Sequence, residues 1–305
     1  MRLTLGFVIT FACAGLHAQP PQGPQPEAVK QGQALARQGK LEEALALYRQ
    51  ELQKAPDSVP VNNAAGVVLD LLGRTKEAKT YFAKAIEAAP TPQAKAAAQR
   101  AMAMSYAFDN DCAGTVRYEQ LVMDHWIAEK NFYQQGEMAN EAARVCIEAG
   151  DLDAAEKWYR KGTELGLQEP GIAADRTALW KFRLEHALAR LAASRGRKDE
   201  ALKHVAAARA LLDGNPGMAK QQSIFYPYLA GYVALYTGDA AGALTELAKA
   251  NQNDPFIHCL IGMAHEKLGQ KQQALEHYRK AAQATAHNPP AAYAVPLARK
   301  KLAGQ

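Results

Sequence analysis

Three side chains near the C-terminus could bind a metal ion: His258, Cys259 and His265. Imidazole and thiolate groups are common ligands of Zn2+. Two histidines on one helix usually share a metal when they are three or four residues apart, because that spacing brings them close on one face. Here the spacing is seven, and Gly269 stands where a metalloprotease helix would need its second histidine. We therefore interpret these histidines as packed side chains and predict no metal site.

A second segment begins like a calcium-binding loop. Asp109, Asp111 and Gly114 have suitable types, but the twelfth position is Gln120 rather than a bidentate glutamate. The sequence also lacks a phosphate-binding loop, a dinucleotide glycine fingerprint and a CxxC pair. These observations predict a protein that is not an enzyme and that needs no cofactor.

Composition favours a globular helical protein. The chain has 305 residues, of which 48% are hydrophobic, 22% are charged and 62 are alanine, the best helix former. A net charge of +5, without a concentrated basic stripe, attracts nucleic acid only weakly. We therefore expect no nucleic-acid partner.

The N-terminus has the pattern of an export signal. Arg2 precedes an apolar run from Leu3 to Ala14, and small or apolar residues end the segment at Ala18. We predict a secretory signal peptide over residues 1–18, a proline-rich tether over 19–26, and a periplasmic or secreted product without a membrane span. A buried N-terminal helix is the alternative.

A spaced pattern runs through the remaining chain. Gly39, Ala44, Tyr48 and Pro56 have counterparts exactly 34 residues later. Weaker copies follow, and the third has an uncertain register. Each copy has a residue at a predicted turn, a small residue five positions later and a bulky residue four positions after that. These three positions are, unit by unit, Gly39, Ala44, Tyr48; Gly73, Ala78, Phe82; Asp109, Gly114, Tyr118; Gly150, Ala155, Tyr159; Gly196, Ala201, Val205; Gly238, Ala243, Leu247; and Gly269, Ala274, Tyr278.

This pattern resembles the tetratricopeptide repeat family, whose unit is a helix-turn-helix of about 34 residues. The resemblance implies an all-α, right-handed superhelical solenoid of about seven repeats. We expect the array to occupy residues 27–290 and a C-terminal capping helix and tail to occupy residues 291–305. The small residue of the second helix lets the pair approach closely, and the bulky residue fills the space between units.

The repeat places two cysteines near each other. Cys112 falls near the start of the second helix of the third unit, and Cys146 falls near the end of the first helix of the fourth unit. Consecutive helices pack antiparallel, so these two ends should be neighbours. A disulfide is plausible in an oxidising compartment, and two buried free thiols are the alternative. A distance between their Cα atoms above about 7 Å would exclude the bridge.

The resemblance also implies a concave ligand groove lined by fixed positions of the first helices. Helical spacing separately puts three of these residues, the tyrosines, on one face. Arginines beside tyrosines suit carboxylate recognition and flat apolar contact, but such rings could instead pack between units. The groove residues are Asn140, Arg144, Arg183, His186, Arg190, Phe225, Tyr228, Tyr232, Tyr236, Phe256, Met263 and Lys267.

These features predict a scaffold that holds a protein or peptide partner in the groove. A carbohydrate- or peptidoglycan-associated binding protein is the alternative, because aromatic rings stack on sugar faces. An accessory subunit of an enzyme is the third reading. The carboxylate clamp of the chaperone-binding subclass is incomplete, since Asp70 and Leu71 stand where it needs basic and polar groups.

Overall fold

A computed structural model describes residues 25–304, and every regular element within that range is helical. The predicted signal peptide and residues 19–24 lie outside the described residues. None of the described helices is both long and apolar enough to cross a membrane. The helices are α1 (Glu27–Arg37), α2 (Leu41–Lys54), α3 (Val59–Leu71), α4 (Thr75–Glu87), α5 (Pro92–Phe108), α6 (Cys112–Ala128), α7 (Phe132–Glu148), α8 (Leu152–Leu167), α9 (Ala174–Ser194), α10 (Lys198–Gly214), α11 (Pro216–Gln222), α12 (Tyr226–Tyr236), α13 (Ala240–Leu247), α14 (Pro255–Lys267), α15 (Lys271–Ala282) and α16 (Pro289–Ala303).

The helices stack as antiparallel pairs in chain order, which confirms the predicted all-α solenoid. The turn inside each pair contains one residue in the left-handed region, with φ between 59° and 96°. Glycine takes this conformation without a Cβ clash, so it ends a helix and starts the next within three residues. The seven turn residues are Gly39, Gly73, Asn110, Gly150, Gly196, Gly238 and Gly269.

The third pair corrects the predicted register by one residue. Asn110, with φ 59°, takes the glycine position in place of Asp109, because asparagine tolerates the left-handed region better than most residues. The small and bulky positions then fall on Thr115 and Glu119 rather than on Gly114 and Tyr118. Thr115 and Glu119 are both buried.

Small residues set the distance within each pair. A Cβ added to Gly66 would lie only 2.6 Å from the ring of Phe82, and Ala78 and Phe82 are completely buried. The glycine of the first helix therefore faces the bulky residue of the second helix. The ring of Phe82 on α4 thus packs directly against the backbone of Gly66 on α3, because Gly66 has no side chain.

The segment 213–222 is mostly helical. α10 reaches Gly214, and α11 starts at Pro216, a residue suited to a first helical position. One predicted boundary shifts. The last helix begins at Pro289 rather than near Ala291. The side chain of Asn288 caps it by accepting a 3.1 Å hydrogen bond from the backbone N–H of Ala291.

The last helix does more than cap the array. It packs on α14 and α15 as the next member of the stack, and it also contacts α5 and α7 from the other half of the chain. The solenoid therefore closes on itself. We call this contact the seam; it consists of Asp70, Leu71, Ala107, Phe108 and Val145 on one side and His287, Ala291, Ala292 and Val295 on the other.

Candidate functional site

The inner surface of the closed solenoid carries an aromatic and charged cluster. The first helices meet there: α9 contacts α12, α12 contacts α14, α14 contacts α16, and α16 returns to α5 and α7. We call the side chains in this space the central cluster: Arg144, Glu148, Arg190, Tyr228, Tyr232, Phe256 and Tyr293.

Arg190 is the best-connected member of the cluster. Its side chain donates a 3.0 Å hydrogen bond to the hydroxyl of Tyr228 and a 2.7 Å bond to that of Tyr159. The residue is only 4% exposed, and its Nε has no hydrogen-bond partner among the described residues. Arg190 therefore joins α8, α9 and α12 and is not free to bind a ligand in this conformation.

Glu148 lies at the end of α7 with one oxygen covered. Its Oε1 is buried and accepts no hydrogen bond from any described residue. Burial raises the pKa of Glu148 from 4.5 to about 7, although Arg190 and Arg144 oppose this effect. Together with Arg144 and Tyr293, it lines a small cavity of about 10 Å³, which is about the size that one water molecule needs. Oε1 of Glu148 is therefore a buried oxygen that lacks a donor among the described residues.

The tyrosine row does not face an open groove. Tyr228 and Tyr232 are buried, and Tyr236 stacks on Tyr232 with ring centroids 4.3 Å apart. The hydroxyl of Tyr232 shares a 3.0 Å hydrogen bond with Ser194. This arrangement agrees with the alternative that the rings pack between units, and it corrects the expectation of an exposed aromatic surface.

The other predicted groove residues divide between two places. Arg144 lies over the rings of Tyr228 and Phe256, and buried His186 contacts Tyr228. Met263 packs against the core of the last units. Away from the cluster, Arg183 pairs with Glu137, Asn140 lies against Gly162, Phe225 is half-buried in a short 3-10 turn, and Lys267 is exposed.

A buried acidic group was missed by the sequence patterns. Glu119 occupies the bulky position of the third unit, and neither of its carboxylate oxygens has a hydrogen-bond partner among the described residues. Burial raises the pKa of Glu119 well above its usual range, and the nearby charge of Glu141 adds to the effect. Glu141 itself accepts hydrogen bonds from Arg100 at 2.8 and 3.1 Å. The predicted register placed Tyr118 at the bulky position, so the sequence pattern did not show that a glutamate occupies it.

Cys112 and Cys146 form a disulfide in the structure. Their Cα atoms are 4.7 Å apart, inside the range that a bridge requires. The bond ties the start of α6 to α7. Cys259 is buried and is the free cysteine of the described range.

The seam contains one buried polar contact. Nε2 of His287 donates a 2.8 Å hydrogen bond to Oδ2 of Asp70, and Ser105 donates to the other carboxylate oxygen at 2.8 Å. The imidazole lies between Phe82 and Phe108, with ring centroids 5.5 and 5.3 Å away. α3 and α5 therefore contact His287 of the C-terminal segment through a hydrogen bond to the Asp70 carboxylate and through ring packing with Phe108.

The solenoid of helix pairs has the architecture of a repeat protein. Tetratricopeptide repeats are found in this chain at residues 29–93, 136–165 and 257–288. Proteins built from these repeats are typically non-catalytic interaction scaffolds.

One solved structure supports the same fold, and a second is reported for comparison. The crystal structure of apo RapI is 12% identical, covers 91% of this chain and 98% of its own, and has a TM-score of 0.54. A tetratricopeptide repeat protein from Parabacteroides merdae is 15% identical, covers 84% of this chain and 91% of its own, and has a TM-score of 0.49. No curated protein matches the sequence. The similarity at these identities concerns the fold alone.

Proposed function

We propose that this protein is a non-catalytic scaffold that binds a polypeptide along its inner surface, and that its own C-terminal segment covers part of that surface. The observation that carries the proposal is the seam. There the inner helices α3, α5 and α7 hold a segment of chain that begins more than 130 residues beyond them.

The seam suits a polypeptide ligand in two ways. Its apolar part pairs Leu71, Phe108 and Val145 with the small side chains of Ala292 and Val295. Its polar part is the buried carboxylate of Asp70, which selects a hydrogen-bond donor between two aromatic rings. We infer that the partner presents a histidine or another flat cationic donor just before a short helix rich in small apolar residues.

Opening the seam would give a partner access to the central cluster. The cavity lined by Arg144, Glu148 and Tyr293 lies beside Pro289 and Ala292 of the C-terminal segment. α16 can remain on α14 and α15 while it separates from α5 and α7, because these are different contacts. A partner would then meet both the apolar seam and the charged cluster.

The carbohydrate alternative has less support. Sugar stacking needs free ring faces, whereas Tyr232 and Tyr236 stack on each other and Tyr228 is buried. A glycan array with specific hits on the full chain would favour that alternative over the polypeptide scaffold.

We also propose export of the protein. The residues 1–18 have a signal-peptide pattern, and a disulfide between Cys112 and Cys146 suits an oxidising compartment. Expression of the full chain followed by cell fractionation and N-terminal sequencing tests this proposal. We expect an envelope or secreted product that starts at Gln19, and a cytoplasmic product that keeps Arg2 would contradict it.

A peptide that copies residues 284–303 tests the binding surface. In a full-chain variant with His287→Ala and Val295→Ala, the internal segment holds the seam less firmly, so labelled peptide should bind and raise fluorescence anisotropy. Wild-type protein should bind the peptide at least about tenfold more weakly, because its own segment competes at high effective concentration.

Two controls make the result specific. A peptide with alanine in place of His287 should bind more weakly, and so should the native peptide when Asp70→Asn is added to the receptor variant. Equal binding in all combinations, or no binding by a variant that circular dichroism shows to be folded, would reject this surface.

A further inference from the structure

Three histidines come together on the last helix pair. His258 and His265 lie on α14, and His277 lies on α15 between them, with ring centroids 5.3 and 5.6 Å away. All three are partly exposed. The seven-residue spacing of His258 and His265 argues against a metal that binds both of them on one helix. It does not exclude a metal that binds one histidine from α14 and His277 from α15.

The two closest nitrogens are separated by a distance that fits a metal ligand pair. Nδ1 of His258 and Nδ1 of His277 are 3.2 Å apart. In a tetrahedral site with Zn–N bonds of about 2.0–2.1 Å, neighbouring ligand atoms lie about 3.3–3.4 Å apart. A square-planar site with bonds of similar length would require about 2.8–3.0 Å. The observed separation is nearer the tetrahedral value.

Charged groups surround the pair. The ammonium group of Lys280 on α15 lies near both imidazoles. The groups that face the pair also include Asp254 on the loop before α14, Glu276 on α15 and His265.

We propose that Nδ1 of His258 and Nδ1 of His277 bind a tetrahedral divalent transition-metal ion, for which Zn2+ is the best match, with water in the remaining positions. Among residues 25–304, no group of three or more histidine, cysteine, aspartate or glutamate side chains is arranged to hold a metal as it stands. The site is therefore an open two-histidine site. Without metal, the same two nitrogens share one proton in an N–H···N hydrogen bond. When the ion binds, the donating imidazole changes tautomer and carries its proton on Nε2, so that both Nδ1 lone pairs face the ion.

His265 is held ready near this pair. Its Nδ1 is 2.6 Å from Oε1 of Gln270. An amide oxygen only accepts, so Nδ1 of His265 donates this hydrogen bond. Metal binding would fasten α14 to α15, the pair on which the seam helix α16 rests.

Zinc titration of the full chain without a histidine tag tests the site. Isothermal titration calorimetry near neutral pH should give one Zn2+ per chain, with binding reversed by a chelator. His277→Ala should weaken binding at least about tenfold, because loss of even a second-shell partner commonly costs 10- to 100-fold. His125→Ala, which removes a partly exposed histidine on α6, is the matched control and should leave binding unchanged.

A second readout protects the test against misfolding. In wild-type protein, nitrogen-15 chemical shifts of His258 and His277 should change together when Zn2+ is added, while those of His125 should not. The proposal is overturned if folded His277→Ala protein binds Zn2+ as tightly as wild type, or if Zn2+ leaves both imidazole signals in place. Neither outcome bears on the scaffold proposal, because the seam is formed by other residues.

Discussion

Asp70 and His287 are 217 positions apart in the chain and share a 2.8 Å hydrogen bond at the seam. The Asp70 side chain is completely buried, and that of His287 is only 10% exposed. A buried carboxylate costs free energy unless it has partners, and here His287 and Ser105 supply them. The closed form of the solenoid therefore depends on a contact between its second unit and the segment before its last helix.

Removing either partner should destabilise the closed form. His287→Ala leaves the carboxylate of Asp70 with only the Ser105 hydroxyl and should lower the free energy of unfolding by about 2–4 kcal/mol. Asp70→Asn in that background should cost less than it does alone, with a coupling energy of about 1–3 kcal/mol. Urea unfolding of the wild type, both single variants and the double variant measures these values. Strictly additive losses would mean that the two side chains do not stabilise each other.

Glu148 should make stability depend on pH. In the unfolded chain its carboxyl loses a proton near its ordinary pKa of 4.5, whereas in the folded protein it keeps the proton up to about 7. The folded state binds more protons between these values, so this group's contribution to stability is present at low pH and is lost as the pH rises through that window.

Above about pH 7, the folded protein must hold the ionised Glu148 carboxyl in a partly buried position, which costs free energy. Glu148→Gln removes this cost, because glutamine does not ionise. Relative to wild type, the variant should gain about 1–2 kcal/mol in unfolding free energy at about pH 8 and almost nothing at about pH 5. Glu129→Gln, at an exposed position, is the control and should behave like wild type at both pH values. A gain of equal size at both pH values would contradict a raised pKa for Glu148.

Arg190→Ala tests the buried role of that side chain. An arginine that lined an open groove and had no partners within the protein could be replaced without loss of stability. Because Arg190 bonds two tyrosine hydroxyls inside the core, we expect its removal to lower the free energy of unfolding by about 2–4 kcal/mol. Tyr228→Phe should cost about 1 kcal/mol, since it deletes one hydrogen bond. An unchanged melting temperature for Arg190→Ala would restore the open-groove interpretation.

Reduction of the disulfide should weaken the middle of the array. Closing a loop between residues 34 positions apart is worth about 3–4 kcal/mol by loop entropy. We expect reductant to lower the melting temperature of the wild type and to raise its thiol count by two under denaturing conditions. The Cys112→Ser/Cys146→Ser variant should melt at the lower temperature with or without reductant. A wild-type melting temperature that does not respond to complete reduction would contradict this role.

The third unit shows how far local patterns reach. Gly73 and Gly150 could be recognised from residue type, because glycine is the usual solution to a left-handed turn. Asn110 performs the same role without the same signature, and one shifted residue hid the buried carboxyl of Glu119. His277 was also missed, because nothing in a separation of 12 or 19 residues indicates that it lies against His265 and His258.

The sequence by itself determined the helix pairs, six of their seven turns and the stacking order, because glycine, alanine and aromatic spacing act within and between neighbouring units. It could also bring Cys112 and Cys146 together as candidates, since adjacent antiparallel helices fix which ends meet. Only the tertiary structure decided that the array curls until α16 reaches α5 and α7. Curvature accumulates from small rotations at every interface, so no local pattern encodes whether Asp70 meets His287 or whether Arg190 faces a ligand or its own tyrosines.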